Sequence, residues 1–287
     1  MTSPDATAAN AEQIHYWNEV AAPKWLALQQ KIDAQLRPLG LEAMDRARVG
    51  AGERVVDVGC GAGDTTIELA RRVGGSGGVL GVDVCSPLLE RTAERVRAAG
   101  LDNVRLENAD AQTYALPAGQ YDLVFSRFGV MFFADPAAAF ANLRKGLRPG
   151  GRLAFVCWQA LARNAWVAVP LAAASRIVAP PPPVAAEAPG PFAFADIQRV
   201  HRILEGAGFV DLGVDELVQP LTIGGGGDVA DAVELLLQIG PLAGVLREVD
   251  PQVRSHVAVV VRAALVPYQS NAGLEMQAAA WVVTARK

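Results

Sequence analysis

Cysteines are few in this chain of 287 residues, and basic residues form no cluster. Cys60, Cys85 and Cys157 lack the paired spacing of a disulfide framework or a zinc site. The formal net charge is −4 and no block of Lys and Arg occurs, which argues against binding to nucleic acid through its phosphates. We therefore expect a protein from a reducing compartment, with neither a metal site nor a nucleic-acid partner.

Long apolar runs are also missing. No run reaches the ~18 residues of a membrane helix, and the nearest candidate, residues 165–178, contains Pro170, Ser175 and Arg176. The first ten residues are polar and lack the charged-then-apolar order of a secretory signal. We expect no membrane span and a cytoplasmic location. Hydrophobic residues make up 51% and charged residues 20% of the chain, a balance typical of a packed globular core.

The segment VVDVGCGAGD, residues 55–64, is the most informative part of the chain. A buried strand, a glycine turn and a helix start in this order form a nucleotide-sized cleft. Gly59 and Gly61 fit a dinucleotide fingerprint, but its last glycine is replaced by Asp64. Asp57 adds a second carboxylate, and no basic residue stands nearby in the sequence. This charge pattern disfavours a pyrophosphate, and hence a nicotinamide oxidoreductase, and favours a cationic adenosine ligand such as S-adenosylmethionine.

Two more acids follow predicted strands. Asp83 ends a strand over residues 79–83 and lies 24 residues beyond Gly59, close to the ~20 expected for a carboxylate that binds ribose hydroxyls. Asp110 follows a short strand over residues 104–107. A carboxylate at this place can accept a hydrogen bond from the exocyclic amine of adenine. The sequence thus predicts an adenosine site along the ends of three strands.

These motifs resemble class I S-adenosylmethionine-dependent methyltransferases, especially the ubiquinone and menaquinone C-methyltransferase branch. GVDVCSPLL, NADAQTY, YDLVFSRFGVMFF and LRPGGRLAF continue the resemblance, which covers residues 13–151 and a last strand near 281–286. It implies S-adenosyl-L-methionine as cofactor, with the methionine end on the glycine loop, the ribose on Asp83 and the adenine at Val84 and Asp110. The predicted cofactor-binding residues are Asp57, Gly59, Cys60, Gly61, Asp83, Val84, Asp110, Ala111, Ser126, Trp17 and Trp25.

Several of these residues also have purely structural interpretations. A strand-end aspartate can simply cap a turn, and a cysteine in the loop is more often a small core residue than a reactive one. Trp17 and Trp25 can contact the sulfonium through their ring faces or only anchor a helix. Both interpretations of the tryptophans stay open at this point.

Alternating strand and helix patterns predict an α/β fold with a doubly wound, Rossmann-like, seven-stranded and mostly parallel sheet. Strands are expected near 54–58, 79–83, 104–107, 121–126, 151–157, 209–222 and 277–284. The N-terminal region is expected to be helical. Asn10 and Gln13 fit a capping box, and Pro23 is expected to end or kink the first helix.

The predicted organisation has four parts. Residues 1–50 form a helical cap over the cofactor, and residues 51–158 form the S-adenosylmethionine-binding core. Residues 159–208 form a lid insertion that includes the proline-rich strap APPPPVAAEAPGP, and residues 209–287 complete the sheet, with a helical insertion at 228–268. Such a lid would screen an acceptor from water. Alternatively, these helices only extend the core or form a dimer contact, so a homodimer stays open.

The apolar insertion favours a small, largely apolar acceptor that is methylated at O, N or C by in-line transfer. Phe128, Met131, Phe132 and Phe133 can wall its pocket or belong to the core. The alternative is a methyltransferase of protein or RNA, or a non-catalytic relative. The SRFG that follows the fourth strand differs from the N/D-P-P-Y motif of base and amide methylation. His201 can reach the cleft, but a helix-face histidine is the commoner case, so we assign no catalytic base.

Overall fold

The structure is a computed structural model that describes residues 4–180, 185 and 187–287, with side chains from residue 10 onward. The chain begins with four helical elements, which are α1 (Pro4–His15), a π-helical turn (Tyr16–Ala21), α2 (Ala22–Ala27) and α3 (Gln29–Arg46). The predicted cap at Asn10 is wrong, because α1 begins upstream and Asn10 lies inside it. Pro23 stands in the first turn of α2, where its missing N–H is not needed.

In the part of the chain that the structure describes, the central sheet has eight strands, whereas the sequence predicts seven. They are β1 (Arg54–Val58), β2 (Gly78–Asp83), β3 (Val104–Asn108), β4 (Tyr121–Arg127), β5 (Leu147–Trp158), β6 (Val210–Ile223), β7 (Gln269–Ser270) and β8 (Gly273–Arg286). Seven of them follow the order β3-β2-β1-β4-β5-β8-β6, and the two-residue β7 adds to β8. Strands β1 to β5 pair in parallel, and β8 runs antiparallel to β5, β6 and β7. The predicted mostly parallel sheet is confirmed.

Eight further α-helices accompany the sheet in the described residues. They are α4 (Asp64–Val73), α5 (Ser86–Ala98), α6 (Pro136–Gly146), α7 (Ala165–Ala174), α8 (Ile197–Gly206), α9 (Val229–Gln238) and α11 (Pro251–Leu265), with the short α10 (Pro241–Val245) before the last. Helices α7, α9, α10 and α11 pack together, although three of them come from the 228–268 insertion. Within the described ranges, no helix is long and apolar enough to cross a membrane.

The proline-rich strap predicted over residues 179–191 falls partly outside the described residues, which omit 181–184 and 186. Its described end is tied to the core, because the Gly190 N–H donates to the Met131 carbonyl at 3.1 Å. The strap itself stays a prediction.

The core lies on both faces of the sheet, and strands β1 and β4 occupy its centre. Phe125, Phe140 and Phe155 are fully buried there. The strand order reverses between β1 and β4, and in open α/β sheets such a reversal opens a crevice at the carboxyl ends of the strands. The glycine turn after β1 and the SRFG segment at the end of β4 meet at this crevice.

Candidate functional site

The glycine turn after β1 packs directly on the chain that leaves β4. Gly59 has a φ of 68°, and a Cβ on it would lie 2.9 Å from the Cα of Gly129. Gly63 has a φ of 85°, and a Cβ there would strike the Thr92 side chain at 2.6 Å. Glycine is therefore required at both positions. Gly59 allows the two sides of the crevice to touch, and Gly63 allows the turn to contact α5.

The first backbone amides of this turn point inward. The Gly59 and Cys60 N–H groups donate to the Val82 carbonyl at 2.9 and 3.3 Å, and the Gly61 N–H donates to Asp83 Oδ2 at 2.7 Å. A phosphate-binding loop instead directs free N–H groups at its ligand. These three amides are already used and are not available to a pyrophosphate.

Asp64 is neutralised by two arginines, which corrects the expectation that nothing basic stands near this turn. Arg37 Nη1 from α3 lies 2.6 Å from Asp64 Oδ1, and Arg127 Nη1 from the end of β4 lies 2.7 Å from Oδ2. The Asp64 side chain is 6% exposed, so this is a buried charge cluster. The charge of Asp64 therefore does not select a cationic ligand, and the exclusion of a pyrophosphate rests on the inward amides.

The same cluster extends to the turn's far side. Arg95 from α5 pairs with Asp33 at 2.9 Å and donates to the Ala62 carbonyl within the turn. Arg127 Nη2 lies 3.8 Å from Asp33. Burial, followed by the proximity of Asp64, raises the pKa of Asp33. Helices α3, α4 and α5 and strand β4 are thus joined around the turn by charges that the local sequence pattern did not reveal.

Asp57, on β1, is hydrogen-bonded to the start of α4, the helix that follows the turn. Its Oδ2 accepts hydrogen bonds from the hydroxyls of Thr65 and Thr66, both at 2.7 Å, and its Oδ1 is buried without a partner. Desolvation raises the pKa of this carboxyl to about 6. Since protein encloses the carboxyl completely, it holds α4 against β1, and its predicted cofactor contact is untested by this structure.

Asp83 stands half-buried at the carboxyl end of β2, as expected for a ribose-binding acid. Besides the Gly61 N–H, it accepts the Cys85 N–H at 2.8 Å through Oδ1. Burial raises the pKa of Asp83. A carboxylate has about four acceptor positions, so two N–H donors leave capacity for two ribose hydroxyls.

Asp110 lies in the turn after β3, and its carboxylate is bonded to protein on both oxygens. Oδ1 accepts the Gln112 N–H at 2.9 Å, and Oδ2 accepts the side-chain amide of Asn10 from α1. Burial raises the pKa of Asp110. The neighbouring Ala111 is buried. Sequence reasoning missed the partnership with Asn10, which lies 100 residues earlier.

The N-terminal aromatic side chains reach the crevice. The ring of Trp17 lies 5.4 Å from that of Trp25 and 5.2 Å from that of Phe132. Both tryptophans pack against the buried cluster of Ala22, Cys85 and Leu88, as does Ala62 of the turn. Trp17 therefore lies between the cluster that Ala62 also contacts and Phe132 of the segment after β4. This position fits either interpretation of the tryptophans, as cofactor contacts or as anchors.

A cavity of about 530 Å³ opens between the N-terminal segment and the ends of β2 and β3. Its walls are Ala11, Ile14, His15, Asn18, Glu19, Val84, Ser86 and Asn108. A volume of this size is typical of small-molecule sites. Val84, predicted to contact adenine, is half-buried in its wall.

The segment after β4 is strained and buried. Phe128 has a φ of 61°, an uncommon conformation for a bulky residue, and its ring stacks on Trp158 at 4.1 Å. Ser126 is fully buried, donates to the Val58 carbonyl at 2.8 Å and accepts the Gly129 N–H at 3.2 Å. Ser126 thus fastens the two sides of the crevice, and its predicted contact with a cofactor is untested.

Cys60, His201 and His256 form no reactive centre. Burial raises the pKa of the Cys60 thiol well above its usual value, so the thiol stays protonated. His201 lies on α8, which packs against α6 and β6, and His256 is exposed on α11. The described part of the chain contains no cluster of three or more His, Cys, Asp or Glu side chains suited to a metal.

Comparison with known proteins agrees with this geometry. Residues 55–151, from β1 into β5, match a family described as a methyltransferase domain. The chain is 36% identical over 118 residues to an aklanonic acid methyltransferase of a Streptomyces species, a match that covers 41% of this chain and 54% of that protein. It is 30% identical over 151 residues to a demethylmenaquinone methyltransferase of Listeria welshimeri, which covers 52% of this chain and 64% of the relative.

The matches thus span between half and two thirds of the curated relatives, and they confirm the resemblance to the quinone branch. The fold is also similar to that of a solved structure over most of this chain. Phosphoethanolamine N-methyltransferase 2 of Haemonchus contortus, in complex with phosphomonomethylethanolamine and S-adenosylhomocysteine, has a TM-score of 0.54 at 17% identity and covers 87% of this chain and 53% of its own.

Proposed function

We propose that this chain, which carries a methyltransferase domain over residues 55–151 and resembles the class I S-adenosylmethionine-dependent methyltransferases, is an enzyme that methylates a small, largely apolar metabolite. The observation that carries the proposal is the position of that domain in the fold. Its match includes the glycine turn, Asp83 and Asp110, which lie at the carboxyl ends of neighbouring parallel strands beside the strand-order reversal.

The residues fit an adenosine ligand that bears no phosphate. Asp83 has free acceptor positions for ribose hydroxyls, Asp110 is a half-buried acceptor for an amine, and Val84 offers an apolar wall. The inward amides argue against NAD. Two relatives are named for aklanonic acid and demethylmenaquinone, which are small molecules rather than macromolecules. This supports the choice of acceptor class over protein or RNA.

S-adenosylmethionine supplies an activated methyl group, so the protein's task is alignment and exclusion of water. The glycine turn would hold the methionine end, and Asp83 and Asp110 would hold the adenosine. Residues 126–129 set the distance between this donor side and the acceptor side, because Ser126 and Gly129 contact β1 and its turn directly. Trp17 and Phe132 close the crevice above. A catalytic base is needed only for an acceptor that arrives protonated with a high pKa.

Titration calorimetry with S-adenosylmethionine, S-adenosylhomocysteine and NADH tests the proposal. We expect binding of the first two ligands and none of NADH. Binding of NADH alone would reverse the assignment toward an oxidoreductase, and the absence of any binding would refute a cofactor site in this crevice.

A further inference from the structure

The carboxamide of Asn10 occupies the edge at which Asp110 is expected to recognise adenine. Its Nδ2 donates to Asp110 Oδ2, and its Oδ1 accepts from Gln112 Nε2 at 3.4 Å. Asn10 therefore presents a donor and an acceptor side by side to residues 110–112. Asp110 is half-buried, so these contacts lie away from bulk water.

Adenine offers the same pair of groups along one edge, since its exocyclic amine is a donor and the adjacent ring nitrogen is an acceptor. A carboxamide carries an NH2 donor beside a carbonyl acceptor in comparable geometry. Asn10 thus offers residues 110–112 the same kind of donor and acceptor pair as the edge of an adenine. Asn10 covers the Oδ2 side of Asp110 and also contacts the Gln112 side chain, so a ligand amine that approaches Oδ2 has to displace the Asn10 amide.

The same segment is fastened at a second point. Asn18 Nδ2 donates to the Val84 carbonyl at 3.0 Å, and Asn18 Oδ1 accepts the Ser86 N–H at 3.0 Å. Between the two asparagines, Ala11, Ile14 and His15 line the 530 Å³ cavity. Helix α1 and the π-helical turn therefore bridge the cavity, with one contact at Asp110 and the other at the backbone of Val84 and Ser86.

We infer that Asn10 is an internal ligand of the adenine edge, which an adenine-bearing cofactor displaces as it binds. This inference rests on the proposed function. Cofactor entry then breaks the contact between α1 and Asp110, while the fastening at Asn18 keeps the segment on the protein. Occupancy of the adenine edge is in this way coupled to the position of α1.

The test is calorimetric titration of S-adenosylhomocysteine into the full chain and three variants. Asn10→Ala removes the internal ligand, and we expect about tenfold tighter binding, the effect of one hydrogen bond to a charged group lost from the free protein. Asn10→Asp places a second carboxylate against Asp110 and is expected to change affinity in the same direction. Asn18→Ala is the matched control, because it breaks the contacts of the same segment with the Val84 and Ser86 backbone and leaves the Asn10–Asp110 contact in place, and we expect no gain.

Hydrogen exchange of the α1 amides provides a second measurement. In the unchanged chain, S-adenosylhomocysteine should increase exchange in α1, whereas in Asn10→Ala exchange should already be fast without ligand. Unchanged or weaker binding by Asn10→Ala would overturn the inference, as would an equal gain in Asn18→Ala, which would indicate general loosening. If no variant binds S-adenosylhomocysteine, the proposed function fails instead.

Discussion

The buried carboxyl of Asp57 should give the protein a measurable dependence of stability on pH. Burial raises its pKa in the folded protein from 3.8 to about 6. Between these values the folded protein holds a proton that the unfolded chain has lost, so the group's contribution is full below pH ~4 and disappears as the pH rises through ~6. A shift of about two units corresponds to about 3 kcal/mol in the free energy of unfolding.

Asp57→Asn removes this titration while keeping the shape of the side chain. Urea unfolding of both proteins at pH 4, 5, 6 and 7 gives the difference in free energy of unfolding at each pH. We expect the advantage of the unchanged protein to fall by about 2.5 kcal/mol between pH 4 and pH 7. An amide nitrogen in place of the unpartnered Oδ1 adds a constant offset, which does not affect the slope. A difference that is constant with pH would refute the buried, protonatable carboxyl.

Three further changes test other parts of the site. Asp83→Ala should weaken S-adenosylmethionine binding about 10- to 100-fold without unfolding the domain, and unchanged affinity by calorimetry would contradict the ribose assignment. Gly129→Ala should destabilise the protein by about 1–3 kcal/mol in urea unfolding, because the new Cβ would lie 2.8 Å from a backbone oxygen, whereas Gly75→Ala meets nothing within 4 Å and should change little. Arg127→Met should lower the free energy of unfolding by about 3 kcal/mol and weaken S-adenosylmethionine binding, because it breaks the ion pair with Asp64. Arg152→Met is the control: it breaks the partly buried ion pair with Glu53 at the opposite end of the sheet, and it should lower stability without affecting binding. Equal effects of the two changes on binding would contradict a local role of Arg127.

Local patterns were sufficient for much of the fold and for the centre of the site. The strand over residues 54–58 and the turn after it were predicted from a short apolar run and its glycines, and β1 and the turn lie where expected. These features depend on residues that are adjacent in the chain. The strand-end positions of Asp83 and Asp110 follow for the same reason, since the end of a parallel strand fixes where the next side chain stands.

The charge environment could not be predicted, because its partners are distant in sequence. Asp64 is paired with residues 27 and 63 positions away, and nothing near it in the chain indicates either arginine. Asn10 shows the same limit, because its spacing from Gln13 fits a helix cap, yet its side chain bonds across 100 residues to Asp110. In both cases tertiary packing, and not the local sequence, determines the partners of the side chain. The two-residue β7 is too short to leave a periodic signal.

Transfer of label from methyl-labelled S-adenosylmethionine into an extract of the source cells, separated by size, tests the central claim most directly. The proposed function predicts label in the small, organic-soluble fraction, where mass spectrometry can identify the methylated acceptor. Label confined to precipitable protein or RNA, or no transfer by a protein that binds the cofactor, would contradict it.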